Sequence, residues 1–129
     1  MTALKLIAQE EGFREKPYRC SEGVLTIGHG FTYITREESI DILKGRVHDL
    51  YETLADKYDW FSELSMIRQS VIISMVYQLG LTGFSHFKKC IKAIERHDWK
   101  RAADEMKDSR AYRQTKNRWD RQIELFING

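Results

Sequence analysis

Glu11 and Cys20 are the residues whose type and position most invite chemistry. Leu4, Ile7 and Ala8 recur at helical spacing, and Glu11 falls seven residues after Leu4 on the same face. A carboxylate ending a core-facing stripe has no packing role unless it is paired. Burial there would favour the protonated acid, the form that can donate a proton. Taken alone, Glu11 reads more readily as an ordinary surface carboxylate near the end of its helix. Cys20 has the same double reading. A thiolate is a nucleophile, whereas an isolated cysteine on a strand is ordinarily a small buried apolar residue.

The elements that must position these groups follow from patterning. Residues 3–11 read as a helix. From Tyr18 to Gly28, Tyr-Arg-Cys, Ser-Glu-Gly and Val-Leu-Thr-Ile-Gly read as two short strands joined by a turn. That puts Cys20 on the first strand and Thr26 on the second. Gly28 and Gly30 flank His29 and permit the close backbone turn that ends the hairpin. Thr35-Arg-Glu-Glu38 is a capping box, followed by an apolar stripe of Ile40, Leu43, Val47, Leu50 and Leu54. Residues 66–79 are apolar on most sides and predict a buried central helix ending at Gly80. Phe87, Cys90, Ile91 and Ile94 form the next stripe. Asp98 caps a helix bearing Trp99, Ala102, Ala103 and Met106, and Thr115 can cap the last one, with Trp119, Ile123 and Phe126 inward. One small hairpin beside many helices predicts an α+β fold. The expected organisation is a single domain, 1–129, with a helix, hairpin and connecting helix over about 1–57 and a helical lobe over about 58–129.

Composition sets the outer bounds. The chain has 129 residues, 42% hydrophobic and 31% charged with one Pro, which is the balance of a globular protein and not a disordered one. The net charge of +2 hides an asymmetry: residues 1–65 balance at −4 and residues 66–129 at +6. A basic C-terminal half suggests a polyanionic partner, whether nucleic acid, anionic lipid or cell-wall polymer, or simply a solvated helical surface. The Lys and Arg residues are spread over several helices and no nucleic-acid-binding signature is present, so no nucleic-acid partner is expected. Cys20 and Cys90 lie far apart in segments of different type, and both are expected as reduced thiols. No secretory signal and no adequate membrane span is visible, so the expectation is a cytoplasmic protein without membrane insertion. Neither a metal nor a cofactor is expected.

The run from Glu11 through Tyr18, Cys20, Glu22-Gly23 and Thr26-Ile27-Gly28 to Gly30 resembles the phage-type (T4-like) lysozyme family. In that family Glu, then eight residues, Asp or Cys, then five residues, Thr forms the catalytic set. The resemblance continues in Met75-Val-Tyr-Gln-Leu-Gly80, in Trp99-Lys-Arg-Ala-Ala103, and from Ser109-Arg110 through Gln114-Thr115 and Asn117-Arg118 to Arg121. These blocks, in order, extend the resemblance over nearly the whole chain. Between Phe31 and Thr35 a segment that is longer in many members is cut short. The commoner Asp is replaced by Cys20.

The resemblance implies a lysozyme-like fold and hydrolysis of the β-1,4 bond between N-acetylmuramic acid and N-acetylglucosamine in peptidoglycan, causing host lysis. Such chemistry needs an acid to protonate the leaving oxygen and a second group that positions water or attacks the anomeric carbon. Glu11 is implied as the acid, with Cys20 and Thr26 as the second group. Arg118 is implied to pair with Glu11, and Arg121 with Glu10. Tyr77 and Gln78 match an aromatic-amide pair lining the saccharide cleft, though Tyr77 also reads as a plain core aromatic. Glu22, Arg110 and Thr115 match its polar rim. At Thr32, Cys90 and Glu105 the family's sugar-binding positions hold different residue types. The implied enzyme is a monomer that waits in the host cytoplasm and reaches the wall through a holin. The alternative is a catalytically degenerate relative that binds peptidoglycan or a partner without cleaving it, motivated by Cys20.

Overall fold

The computed structural model describes all residues from Met1 to Gly129. It is α+β: seven helices and one two-stranded antiparallel sheet. Two compact units are formed, Met1–Leu43 and Lys44–Gly129.

The first unit holds α1 (Ala3–Glu11), β1 (Arg14–Arg19), β2 (Leu25–Gly28) and the start of α2 (Arg36–Lys57). Thr2 caps α1 by accepting the Lys5 N–H at 3.2 Å. Gly12, at φ 68°, ends the helix one residue after Glu11. The strands pair Tyr18 with Thr26 and Arg19 with Leu25, and an irregularity separates these from the Arg14–Gly28 pair. The hairpin thus starts four residues earlier than the sequence pattern suggests, and Cys20 falls just beyond β1 instead of on it. The reason is the turn: Gly23 takes φ 79°, and its N–H donates to the Cys20 carbonyl at 2.8 Å. This draws Cys20 out of the ladder and into the first turn position. The expected capping box is present, with reciprocal Thr35–Glu38 bonds of 3.0 and 3.2 Å. These bonds hold the Glu38 carboxyl below its ordinary range, the Thr35 N–H contributing most.

Thr26 is the one buried side chain in this unit. The expected core-facing stripe of α1 is not realised, for Leu4 is 79% exposed and Ile7 56%. Nor do Ile40, Leu43 and Val47 bury, while Leu54 does fully. A nine-residue helix and a short hairpin have too little surface to enclose a core. The first unit is therefore shaped by caps and glycine turns.

Lys44–Gly129 carries the core. After α2 and a 3-10 turn at Phe61–Glu63 come α3 (Met66–Ser85), α4 (Lys88–Glu95), α5 (Trp99–Lys107), α6 (Arg110–Gln114) and α7 (Lys116–Asn128). α3 is broken at Gly80, which takes φ 77° and ψ 162°, so its regular part ends where the sequence predicts. Val71, Ile72, Met75 and Val76 are buried from it, against Ile94, Met106, Trp119, Ile123 and Phe126. Stacked rings continue this core, Phe87 on Trp119 at 6.1 Å and on Phe84 at 6.5 Å. Arg68 clamps it, donating to the Phe126 and Ile127 carbonyls at 2.8 and 3.1 Å while lying 4.1 Å over the Trp99 ring. A cation on the last carbonyls of α7 also complements that helix's dipole.

Candidate functional site

The position of Glu11 is set by backbone geometry. As the last residue of α1 it immediately precedes the reversal at Gly12. Phe13 then packs on His29 with ring centroids 5.3 Å apart, tying the exit of α1 to the turn after β2. That turn has φ 66° at Gly28 and 79° at Gly30, and Ile27 and Phe31 exchange N–H bonds of 2.9 and 2.8 Å across it. The Glu11 carboxylate lies directly on Gly30: a Cβ there would stand 2.5 Å from Oε2 and 2.7 Å from Cδ. Gly30 thus has two roles: its left-handed backbone requires glycine, and its missing Cβ leaves space in which the carboxylate rests. Only the first need is legible in sequence. The expected burial of Glu11 is not found, since the residue is exposed.

Cys20 and Thr26 come together at the other end of the hairpin. The Cys20 N–H donates to the Val24 carbonyl at 2.9 Å, closing the turn around the thiol. The backbone N–H groups of Glu22 and Val24, in that order of effect, hold the Cys20 thiol below its ordinary range. Burial opposes them, the Thr26 hydroxyl adds a lesser lowering effect, and the Glu22 charge raises the thiol least of all. Such an arrangement favours the thiolate. The hydrogen bond of the Thr26 hydroxyl is its donation to the Val24 carbonyl at 2.9 Å, which takes its one proton. Glu22 therefore contributes its backbone N–H here, a role its side chain gave no hint of. Glu10 and Thr32 are exposed.

The remaining implied residues lie in the second unit. Tyr77 is 50% exposed on α3, which excludes the core-aromatic reading. Gln78 beside it donates Nε2 to the Thr115 hydroxyl at 3.1 Å, joining two residues 37 positions apart. Thr115 occupies the N-cap position of α7 but makes no side-chain cap. Its hydroxyl instead donates back to the Ala111 carbonyl at 3.2 Å. Arg118 donates to the Ser74 hydroxyl at 3.3 Å, and Gln122 donates to the same oxygen at 2.8 Å. Sequence reasoning missed Ser74 and Gln122, because Ser74, the oxygen that both α7 side chains share, lies 44 residues from Arg118. Arg110 and Arg121 are exposed.

Cys90 and Glu105 line one cavity of about 340 Å³ together with His86, Lys88 and Asp108. Cys90 is buried, and burial, reinforced by the Glu105 charge, pushes its thiol up to about 12. Glu105 pairs with Arg101 at 3.2 Å. Both cysteines are free thiols. No group of three or more His, Cys, Asp or Glu side chains is arranged to hold a metal ion.

The α+β fold, seven helices with one small glycine-turned hairpin, is lysozyme-like. The model of the phage lysozyme family matches residues 8–121, and the chain belongs to that family. Probable T4-type lysozyme 2 of Dictyostelium discoideum is 29% identical over 157 aligned positions, covering 96% of this chain and 92% of that protein. Probable T4-type lysozyme 1 of the same organism is 41% identical over 69 residues, 54% of this chain and 41% of its own length. The pre-baseplate central spike protein Gp5 of Enterobacteria phage T4 is 24% identical over 162 positions, all of this chain and 28% of that protein. The matched region is thus under half of two of these three relatives.

The seat on Gly30 gives a first expectation. Gly30→Ala forces the carboxylate aside and strains a φ of 79°. Should Glu11 act as a catalytic group, a displacement of about 1 Å would cost on the order of 100-fold in rate. Stability should fall by only about 1–2 kcal/mol, read from urea unfolding. A Gly30→Ala protein as active as wild type would mean that the seat does not set the geometry.

Proposed function

We propose that the chain is a muralytic glycoside hydrolase that cleaves the β-1,4 bond between N-acetylmuramic acid and N-acetylglucosamine in peptidoglycan. Glu11 donates the proton to the leaving oxygen, and Cys20 with Thr26 holds the attacking water. The observation that carries this reading is the hairpin itself, with a carboxylate seated at one end and a thiolate-favouring turn at the other. An inverting hydrolase needs room for a water between its acid and the group that holds the water. Family membership supports the same reaction class, and two of the relatives carry lysozyme in their names.

Clearing of outer-membrane-permeabilised cells tests the activity. Turbidity should fall on addition of the protein, and cells left intact by a folded sample would contradict the reading. The rate should also drop by about threefold or more from low to physiological salt, because the +6 balance of residues 66–129 attracts an anionic wall through screened charges. A flat salt profile would reduce the basic half to a solvated surface. Access to the wall through a holin-type pore belongs to the same proposal, and lysis of cells expressing this chain alone would contradict that part of it.

A further inference from the structure

The corner between α4 and α5 forms a cleft of about 460 Å³ lined by Lys89, Lys92, Ala93, Arg96, Asp98 and Arg101. The first four recur at i, i+3, i+4 and i+7, which sets them on one face of α4 and its C-cap. His97 then reverses the chain. It is the one non-glycine residue with positive φ, 59°, and the His97 and Asp98 N–H groups return to the Ile94 and Ala93 carbonyls at 2.9 Å each. This is the paired-bond helix ending in which glycine is the usual occupant. The His97 ring stacks on Trp99, centroids 5.2 Å apart, and this fixes the start of α5 beside the basic face.

The charges of this cleft are unevenly satisfied. Asp98 spends one oxygen capping α5, accepting the Arg101 N–H at 3.1 Å. Arg101 is paired with Glu105. Lys89, Lys92 and Arg96 form no ion pair and no side-chain hydrogen bond within their unit. Lys89, Lys92 and Arg96 outnumber the single Asp98 carboxylate in this concavity, and an anion entering it relieves their mutual repulsion.

We propose that this cleft binds the phosphate groups of an anionic envelope polymer, a chain of phosphodiester-linked polyol or sugar units. The proposal rests on the reading that the enzyme works at the bacterial envelope. At about 460 Å³ the cleft is large enough for a phosphate with its adjoining polyol. Arg96 offers a planar fork for two phosphate oxygens, and Lys89 and Lys92 supply point charges. No aromatic side chain lines the cleft, so a single-stranded nucleic acid finds no stacking platform. The site is concave, with Ala93 its only apolar lining residue, which does not suit a lipid surface.

Titration calorimetry on the full-length Glu11→Gln protein tests this, with an oligo(glycerol phosphate), a single-stranded oligonucleotide and phosphatidylglycerol vesicles as probes. The glycerol phosphate oligomer should bind best. Lys92→Glu with Arg96→Glu should weaken it by at least about tenfold, and the milder Lys92→Gln with Arg96→Gln by less. Lys44→Glu with Arg46→Glu, the same charge change on α2, should weaken it by less than about twofold. Equal losses in the two reversals, no binding at low salt, or tighter binding of oligonucleotide or vesicles would each overturn the proposal. Binding without catalysis keeps the two readings separable: a Glu11→Gln protein that still lyses cells overturns the role of Glu11 and leaves the calorimetry intact.

Discussion

Glu11→Gln should lose at least about 100-fold in lytic rate while unfolding at the urea concentration of the wild type. A general acid contributes about 100- to 10,000-fold, and the amide has no proton to give. Glu11 is exposed at the end of α1, so an isosteric amide removes chemistry without removing packing. The amide also fits over Gly30 as the carboxylate does, which keeps the seat occupied. Activity within a few-fold of wild type would remove Glu11 from the mechanism. Equal loss of activity and stability would show that the residue is structural.

Cys20→Ala should cost at least about 100-fold, because Thr26 alone is left to hold the water. Cys20→Asp should retain or raise activity: a carboxylate is ionised at neutral pH and can accept the same Glu22 and Val24 N–H groups that favour the thiolate. Alkylation separates the two thiols. Iodoacetamide should modify Cys20 with a rate that levels off below the ordinary thiol range near 8.5, and activity should fall in step with modification. Cys90, buried and pushed up to about 12, should react only on unfolding. A fully active Cys20→Ala protein would make Cys20 packing alone. A glycosyl adduct on Cys20 with retained anomeric configuration would make it the nucleophile. Inversion, read by NMR of fresh product, is the outcome expected of a water held between Cys20 and Glu11. A protein that binds peptidoglycan without cleaving it would favour the degenerate reading.

What sequence made legible here was local. The Thr35–Glu38 box, the Asp98 cap and the Gly80 break are all decided within four residues, and each is found where the pattern puts it. Stripes buried in Lys44–Gly129 were legible for a related reason, because many helices share that core. The same periodicity misled in α1. It gives the apolar face of a helix and not what covers it, so Leu4, Ile7 and Glu11 read as inward although they are exposed. Thr115 shows the other limit. Its hydroxyl serves Ala111 and the distant Gln78 in place of its own helix, and no local pattern announces a partner 37 residues away. Gly30 was read for its turn, and the carboxylate resting on it became visible only in three dimensions.

The central claim is that this chain cleaves the muramic-acid side of the glycan strand with Glu11 as acid. Digestion of purified peptidoglycan, followed by borohydride reduction and mass spectrometry of the fragments, tests it most directly. Wild type should generate new reducing ends on N-acetylmuramic acid, and Glu11→Gln should generate none above background. New ends on N-acetylglucosamine, released peptides with intact glycan, or equal products from both proteins would contradict it.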